Sequence, residues 1–555
     1  MLLTGGQAAT TTPPRRTRPD VSSLSPTLCG AGEALVAVTA ALGSVVLSRA
    51  IAVDPLDRVG QVSGLAGLDL RFVLLGLLVL GVVGLAMRRA SAQVSRLVAA
   101  LGCAAVAGLT SGLIAGGLVV ALRGTAWPLF ANAGDSGQLI IWANGVLNGD
   151  SMPAGYPPLP VFLMTLWAKL TGASAAGALK VLQVGETALF GPVAYLSWRL
   201  LMRPPWALAV GLVAALPLID LYKPYTNVVL VALLPVLIRF LRHLRRAADL
   251  PWKQLSRIAI GYGACTGILF LMYSGWFVWS ALGVATAAMV VFPWRTGLRR
   301  GAVLVAITAV TFTVVSARHL VGLLGAAGSS QDRYFYFDTD TEPAYVAMWR
   351  GDTPGTTGPW PPPGEFAGMG VFSALLVVGL GTAVFLGRTR TDVLTIAACL
   401  AGAWIMRLLL ASRMYATQAV QLYPRTTPEI LYCLLLLTVL AAFLVTRRSS
   451  AYLSRWRGTD TFASSARSSL GTAGAPTRQS ASAATVAVLA SMLVAGLFMG
   501  SATADRYMPR NDGSLGYLAF MSHYVRQEDG QCAANLRPAG CLLTAVQVDQ
   551  TLRQR

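Results

Sequence analysis

Long apolar runs separated by short basic connections dominate the pattern of hydrophobic and polar positions along the chain. Runs of about 16–25 residues are long enough for an α-helix to cross the hydrocarbon core of a bilayer, and they predict about thirteen spans. These fall near 33–52, 70–87, 97–121, 178–201, 206–221, 225–241, 257–273, 276–293, 301–323, 368–387, 392–411, 428–446 and 482–501. The pattern therefore predicts an all-α polytopic membrane protein.

The apolar run 157–171 is interpreted differently from the others. It is short for a span and is opened by Pro157, Pro158 and Pro160, which favours an interfacial or re-entrant helix. If this run does not cross, the Lys- and Arg-rich connections all fall on one side, which the positive-inside rule assigns to the cytoplasm. The predicted topology is then a multi-pass plasma-membrane protein with a cytoplasmic N-terminus and an external C-terminus.

Polar stretches divide the chain into predicted regions. These are a disordered cytoplasmic tail (1–30), a main transmembrane domain (31–446), a disordered cytoplasmic linker (447–481), a last transmembrane helix (482–501) and a small external segment (502–555). The tail and linker have too few apolar residues to offset the entropy of ordering. In the external segment, Cys532 and Cys541 are predicted to form a disulfide because an oxidising space permits one.

Composition supports the membrane class and changes the interpretation of charge. Of 555 residues, 55% are hydrophobic and 12% are charged, whereas soluble domains carry about 25% charged residues. The net charge of +20 is explained by cytoplasmic loops lying on anionic lipid. Membrane lipid is therefore an expected partner, and nucleic acid is not.

The external loop 132–160 is polar, aromatic and broken by proline, which is typical of a loop that carries functional residues. Asp135 lies in it between Gly134 and Gly137, where small neighbours leave the carboxylate uncrowded. We interpret Asp135 as a general base, although an aspartate before an amphipathic run is also a common helix N-cap. Tyr156 could stack on a sugar or simply fix the return of the chain.

Basic residues at or beyond the predicted outer ends of the spans run against the positive-inside bias. They are Lys223, Arg318, Arg333, Arg407, Arg413 and Arg425. A lipid phosphate is a natural partner, to which arginine offers a bidentate fork and lysine a point charge. Arg407 is the sharpest case because it lies inside an apolar run, where an ionised group normally faces a cavity or a partner. Pairing with Asp220, Asp332 or ordinary lipid remains open for each of them.

A second external loop, 324–367, contains the motif Asp338-Thr339-Asp340 and several aromatic residues, including Trp349. Metal-bound nucleotide sugars are cytoplasmic, so an external loop is poorly placed to bind one. The two aspartates are interpreted as ligands of an acceptor sugar or a structural cation, and Trp349 as part of a carbohydrate groove or of loop packing. No Cys/His spacing indicates a zinc site, and no cofactor is expected.

Three stretches resemble a known family. QLYPRTTPEILYCLLLL (421–437), DRYFYFDTDTEPAYVAMWRGD (332–352) and the loop GDSG…YPPL are together similar to the actinobacterial galactan 5-O-arabinofuranosyltransferases, which are polytopic enzymes of the GT-C type. The resemblance covers roughly 125–445.

This resemblance implies transfer of an arabinofuranosyl residue from a decaprenyl-phosphate carrier to the galactan of cell-wall arabinogalactan, outside the plasma membrane and with inversion. Asp135 would deprotonate the acceptor hydroxyl while basic residues, instead of a metal, hold the leaving phosphate. Two alternatives remain open, a flippase or transporter for a polyprenyl-linked sugar and a non-catalytic scaffold of a wall-synthesis complex.

Overall fold

A computed structural model describes residues 26–89, 91–131, 133–153, 155–326, 371–418, 422–464, 478–526, 530–532 and 540–543. The main helices are Pro26–Ser48 (α1), Arg58–Arg89 (α2), Ala92–Ala121 (α3), Gly134–Leu147 (α4), Pro158–Thr171 (α5), Ala175–Arg199 (α6), Pro204–Val213 (α7), Pro224–Arg245 (α8), Trp252–Met272 (α9), Gly275–Val291 (α10), Leu298–Ala326 (α11), Val371–Gly387 (α12), Thr391–Ser412 (α13), Thr427–Ser464 (α14), Arg478–Arg506 (α15) and Gly516–Tyr524 (α16). Within these ranges the only β contact is an isolated bridge between Val525 and Leu542. The predicted all-α class is confirmed.

Each predicted span overlaps one of these helices. Nine helices in the described ranges are long and apolar enough to cross a membrane by length and composition. The apolar helices α7, α10 and α12 are shorter, and α5 and α6 form a pair bent by 113°. The chain is therefore a multi-pass membrane protein.

Side-chain hydrogen bonds join the turns between helices at each end of the bundle. At the end rich in arginine, Arg245 donates to the carbonyl of Thr389 at 3.1 Å, and Arg448 donates to that of Leu386 at 3.2 Å. At the other end, Arg123 joins the end of α3 to the turn after α1. These contacts bring the turns after α8 and α12 together at one end and the ends of α1 and α3 together at the other, and we call the second end the predicted outer end.

Small residues allow the helices α1 and α3 to approach closely. Gly108, Gly112 and Gly116 lie four residues apart along α3, and a Cβ on Gly108 would come within 2.1 Å of the carbonyl oxygen of Ala37. Such spacing of small residues lets helix backbones pack without intervening side chains inside a membrane. The helices α3 and α8 are mostly buried inside the bundle.

Helix α5 does not continue into α6. It ends at Gly172, which adopts a left-handed conformation (φ +71°), and it buries Val161 while exposing 48% of Phe162 and 75% of Leu170. Lys180, near the start of α6, donates to the carbonyl of Leu122 at 3.0 Å. The chain between Leu122 and Lys180 thus leaves and returns at the same end of the bundle. This agrees with the prediction that 157–171 does not cross.

Three boundaries differ from the sequence-based expectation. Helix α2 begins at Arg58 and not near residue 70, because Asp57 accepts a hydrogen bond from the backbone N–H of Gly60 and starts the helix earlier. The tail predicted for 1–30 is helical from Pro26 onward. The linker predicted to be disordered is helical to Ser464, since no proline interrupts 447–464; residues 465–477 lie outside the described ranges.

Candidate functional site

The first turn of α4 presents Asp135 at the predicted outer end. The helix N-cap is Ala133, without a side-chain cap, and Asp135 follows Gly134 inside the first turn. The alternative that Asp135 is the N-cap is therefore wrong. Gly134 has a φ of +61°, and a Cβ there would lie 2.5 Å from the hydroxyl oxygen of Tyr222, so this position requires glycine.

Asp135 forms an ion pair with Lys223, which lies immediately before α8. The side chains are 29% and 24% exposed, respectively. The pair is therefore neither sealed in the bundle nor fully in water, so both charges remain within reach of a ligand from the outer end. The ammonium of Lys223 also lies 5.5 Å from the centre of the Tyr222 ring.

Polar contacts hold the two loops of this pair against α6. The backbone N–H of Ser136 donates to the Tyr222 hydroxyl at 3.1 Å. Gln183 of α6 donates to the Tyr222 carbonyl at 3.0 Å and accepts from the backbone N–H of Leu129 at 3.0 Å. Burial raises the pKa of Tyr222 to about 12, so its hydroxyl stays protonated at neutral pH.

Tyr156 lies beside the carboxylate. Its hydroxyl is hydrogen-bonded to that of Tyr225, in the first turn of α8, and its ring packs 4.8 Å from that of Trp142. Burial raises the pKa of the Tyr156 hydroxyl, the negative charge of Asp135 raises it further, and the positive charge of Arg425 lowers it. The pKa of Tyr156 therefore responds to the charges of both Asp135 and Arg425.

The remaining predicted basic residues are dispersed. Arg407 is 2% exposed and donates to the carbonyl of Tyr423 at 3.2 Å and to the hydroxyl of Thr427 at 2.8 Å. These contacts brace the turn that precedes α14. Arg413 is exposed at the end of α13, and Arg318 is exposed on α11. Four further predicted residues lie outside the described ranges, namely Arg333, Asp338, Asp340 and Trp349.

Several side chains around Asp135 were not predicted from sequence as members of the site. Tyr222, Gln183 and Tyr225 belong to it through the contacts above. Glu186 lies one turn along α6 from Gln183. The sequence shows a carboxylate inside an apolar run, Glu186, and a polar break near Tyr222. Neither signal reveals which loop these residues contact. Across the described ranges, no three His, Cys, Asp or Glu side chains gather as metal ligands would.

Comparison with known proteins gives a distant likeness. Neither a protein-family model nor a curated protein matches the sequence. Among solved structures, the chain is similar to the archaeal oligosaccharyltransferase AglB from Archaeoglobus fulgidus, solved with an inhibitory peptide and a dolichol-phosphate. The identity is 12% and the TM-score is 0.35 over 73% of this chain, which spans 56% of the length of that protein. A likeness of this degree does not identify a family.

Proposed function

We propose that the protein is a GT-C-type glycosyltransferase that moves an arabinofuranosyl residue from decaprenyl-phosphoryl-arabinose to galactan. The observation that carries the proposal is the pair of Asp135 and Lys223 at the predicted outer end, with both side chains part-exposed. A base for the acceptor hydroxyl and a cation for the donor phosphate are the two charged groups that such a transfer needs. The family resemblance of 332–352 and 421–437 supplies the sugar and the acceptor.

In the proposed reaction, Asp135 takes the proton of an acceptor hydroxyl. The hydroxyl oxygen then forms a bond to the anomeric carbon of arabinose, and the bond between that carbon and the phosphate oxygen breaks. The electron pair leaves with the polyprenyl phosphate, whose charge Lys223 offsets. Attack from the side opposite to the leaving phosphate inverts the anomeric centre.

The ion pair implies an exchange of partners during transfer. In the structure, the ammonium of Lys223 neutralises Asp135. The donor is a phosphodiester with one negative charge, and a second charge develops on the phosphate as the glycosidic bond breaks. Lys223 would therefore turn from Asp135 to the leaving phosphate during transfer, which frees the carboxylate for the acceptor proton.

The other predicted ligands complete the proposal. Arg425, whose charge lowers the pKa of Tyr156, would assist with the phosphate, and Arg318, Arg333 and Arg413 would attract the donor headgroup. Arg407 would contribute to phosphate binding indirectly, because it holds the turn at Tyr423 that carries Arg425. Asp338, Asp340 and Trp349 would contact the acceptor chain, and Tyr156 would stack on a sugar.

Purified protein and a labelled arabinosyl donor test this function. We expect arabinose to pass to added galactan and the polyprenyl phosphate to be released. A flippase in proteoliposomes would instead move intact donor between leaflets, and a scaffold would do neither. Donor translocation without transfer would contradict the proposal.

A further inference from the structure

We infer that the chain after the last span, residues 507–526, is the positioning element of the site and holds the loops of Asp135 and Lys223 through separate contacts. In mechanism this rests on the proposed function, but the contacts themselves are independent of it. The segment includes α16 and lies against both loops at the predicted outer end. Its two halves act on different members of the ion pair.

The Asp135 side is held through Phe130. The backbone N–H of Phe130 donates to the carbonyl of Leu518 at 3.0 Å and to the hydroxyl of Ser522 at 3.1 Å. Ser522 is fully buried and its hydroxyl donates to the carbonyl of Pro128, while its own carbonyl accepts from the hydroxyl of Thr125 at 2.8 Å. One serine therefore holds three residues of the segment 125–130, which precedes α4.

The segment 125–130 has a backbone conformation that persists only when neighbouring residues hold it. Phe130 has a φ of +54°, a left-handed conformation that costs a bulky residue energy and persists only where its surroundings enforce it. Its ring packs between Tyr222 and Tyr517, with centroid distances of 6.2 and 6.4 Å. Tyr517 belongs to α16, so the same segment fixes both the backbone and the side chain of Phe130.

The Lys223 side is held through Tyr507. This residue is 2% exposed, and its hydroxyl donates to a carboxylate oxygen of Asp220 at 3.0 Å while accepting from the backbone N–H of Leu221 at 3.2 Å. The same Asp220 oxygen accepts from the backbone N–H of Tyr222 at 2.9 Å. The turn that ends at Lys223 is thereby built around one tyrosine hydroxyl.

The disulfide fastens the end of this segment. Cys532 is bonded to Cys541, as predicted from sequence. Next to it, the backbone N–H of Leu542 donates to the carbonyl of Tyr524, and the N–H of Arg526 donates back to the carbonyl of Leu542. The carbonyl of Arg526 accepts from the indole of Trp127 at 3.1 Å. The covalent loop is therefore continuous with the contacts that hold 125–130.

Two single substitutions separate the contacts on the Asp135 side from those on the Lys223 side. Ser522→Ala removes the hydroxyl that ties Pro128 and Phe130, and Tyr507→Phe removes the hydroxyl that orders the turn at Asp220. Matched controls are Ser491→Ala, whose hydroxyl donates to the carbonyl of Ala487 in its own helix, and Tyr415→Phe, whose side chain is 90% exposed. All four are compared with the wild-type full chain in lipid nanodiscs.

Hydrogen exchange measured by mass spectrometry reports on position without reference to activity. We expect faster exchange of 125–136 alone in Ser522→Ala and of 219–224 alone in Tyr507→Phe, with both controls like the wild type. Kinetics then report on function. Ser522→Ala should lower turnover by about 10–100-fold with unchanged binding of farnesyl phosphate, because small misplacements of a reacting group cost that much. Tyr507→Phe should weaken farnesyl phosphate binding.

Unchanged exchange in both segments would overturn the inference. So would exchange that rises in both segments in each variant, because that pattern describes a general loss of packing. If the wild-type protein transfers no arabinose but the segment-specific exchange pattern is found, the proposed function fails while the positioning role stands.

Discussion

Replacing Lys223 by methionine removes one charge of the ion pair while keeping most of the length of the side chain. Lys223 and Asp135 are 24% and 29% exposed, and pairs in such partly hydrated positions contribute about 0–1 kcal/mol to stability. The remaining Asp135 carboxylate is still accessible to water. We therefore expect the free energy of unfolding to change by no more than about 1 kcal/mol.

The effect on donor binding should be larger than the effect on stability. A charge-assisted hydrogen bond to phosphate contributes about 1.5–3 kcal/mol, which corresponds to a roughly 10–150-fold loss of affinity. Binding of farnesyl phosphate, a short soluble analogue of the polyprenyl phosphate that leaves in the proposed reaction, can be measured by calorimetry on the purified protein. Thermal unfolding of the same samples separates binding from stability.

Lys169→Met is the matched control for this experiment. Lys169 is also a lysine, in the last turn of α5, but it is exposed, and the ion pair of Asp135 is with Lys223. The control should bind farnesyl phosphate like the wild type. Equal affinity in Lys223→Met and the wild type would refute the assignment of Lys223 to the donor phosphate.

Further substitutions test neighbouring parts of the account. Gly134→Ala should reduce turnover strongly, because the new Cβ would meet the Tyr222 hydroxyl and the left-handed backbone would cost about 1–2 kcal/mol. Gly124 is the control, because its φ is +85° and a Cβ there would meet no neighbouring residue within 4 Å. Gly124→Ala should therefore show the backbone cost alone in thermal unfolding. Arg407→Gln should lower the free energy of unfolding by about 1–3 kcal/mol by leaving buried acceptors unpaired, and an unchanged melting temperature would contradict this role. In intact cells, a membrane-impermeant thiol reagent should label Cys532 only after reduction; labelling without reductant would place the disulfide elsewhere or show it absent.

The sequence predicted the apolar helices of the chain well because their signal is local. Each span is a continuous apolar run, and the short, proline-opened run before Gly172 could be set apart by its length alone. The helix bounds were less accurate. A cap such as Asp57 can begin a helix well before the apolar run, and the helix that contains 447–464 continues past the apolar segment because no proline stops it.

The site could be predicted only in part because its pairing is between distant segments. Asp135 and Lys223 were each selected by their own surroundings, one by flanking glycines and one by its position against the charge rule. Nothing in either stretch specifies the other as its partner. The buried contacts of Tyr507 and Ser522 with these loops likewise depend on where α15 and α16 pack, which no local pattern reports.

Turnover of Asp135→Asn in transfer from labelled decaprenyl-phosphoryl-arabinose to galactan tests the central claim most directly. Asparagine keeps the size of the side chain but cannot take the acceptor proton, so turnover should fall by about 10²–10⁴-fold, with farnesyl phosphate binding and thermal unfolding retained. Asp150→Asn, exposed in the same loop, should remain as active as the wild type. An Asp135→Asn protein that folds, binds farnesyl phosphate and keeps more than about a tenth of wild-type turnover would contradict the assignment of Asp135 as the base.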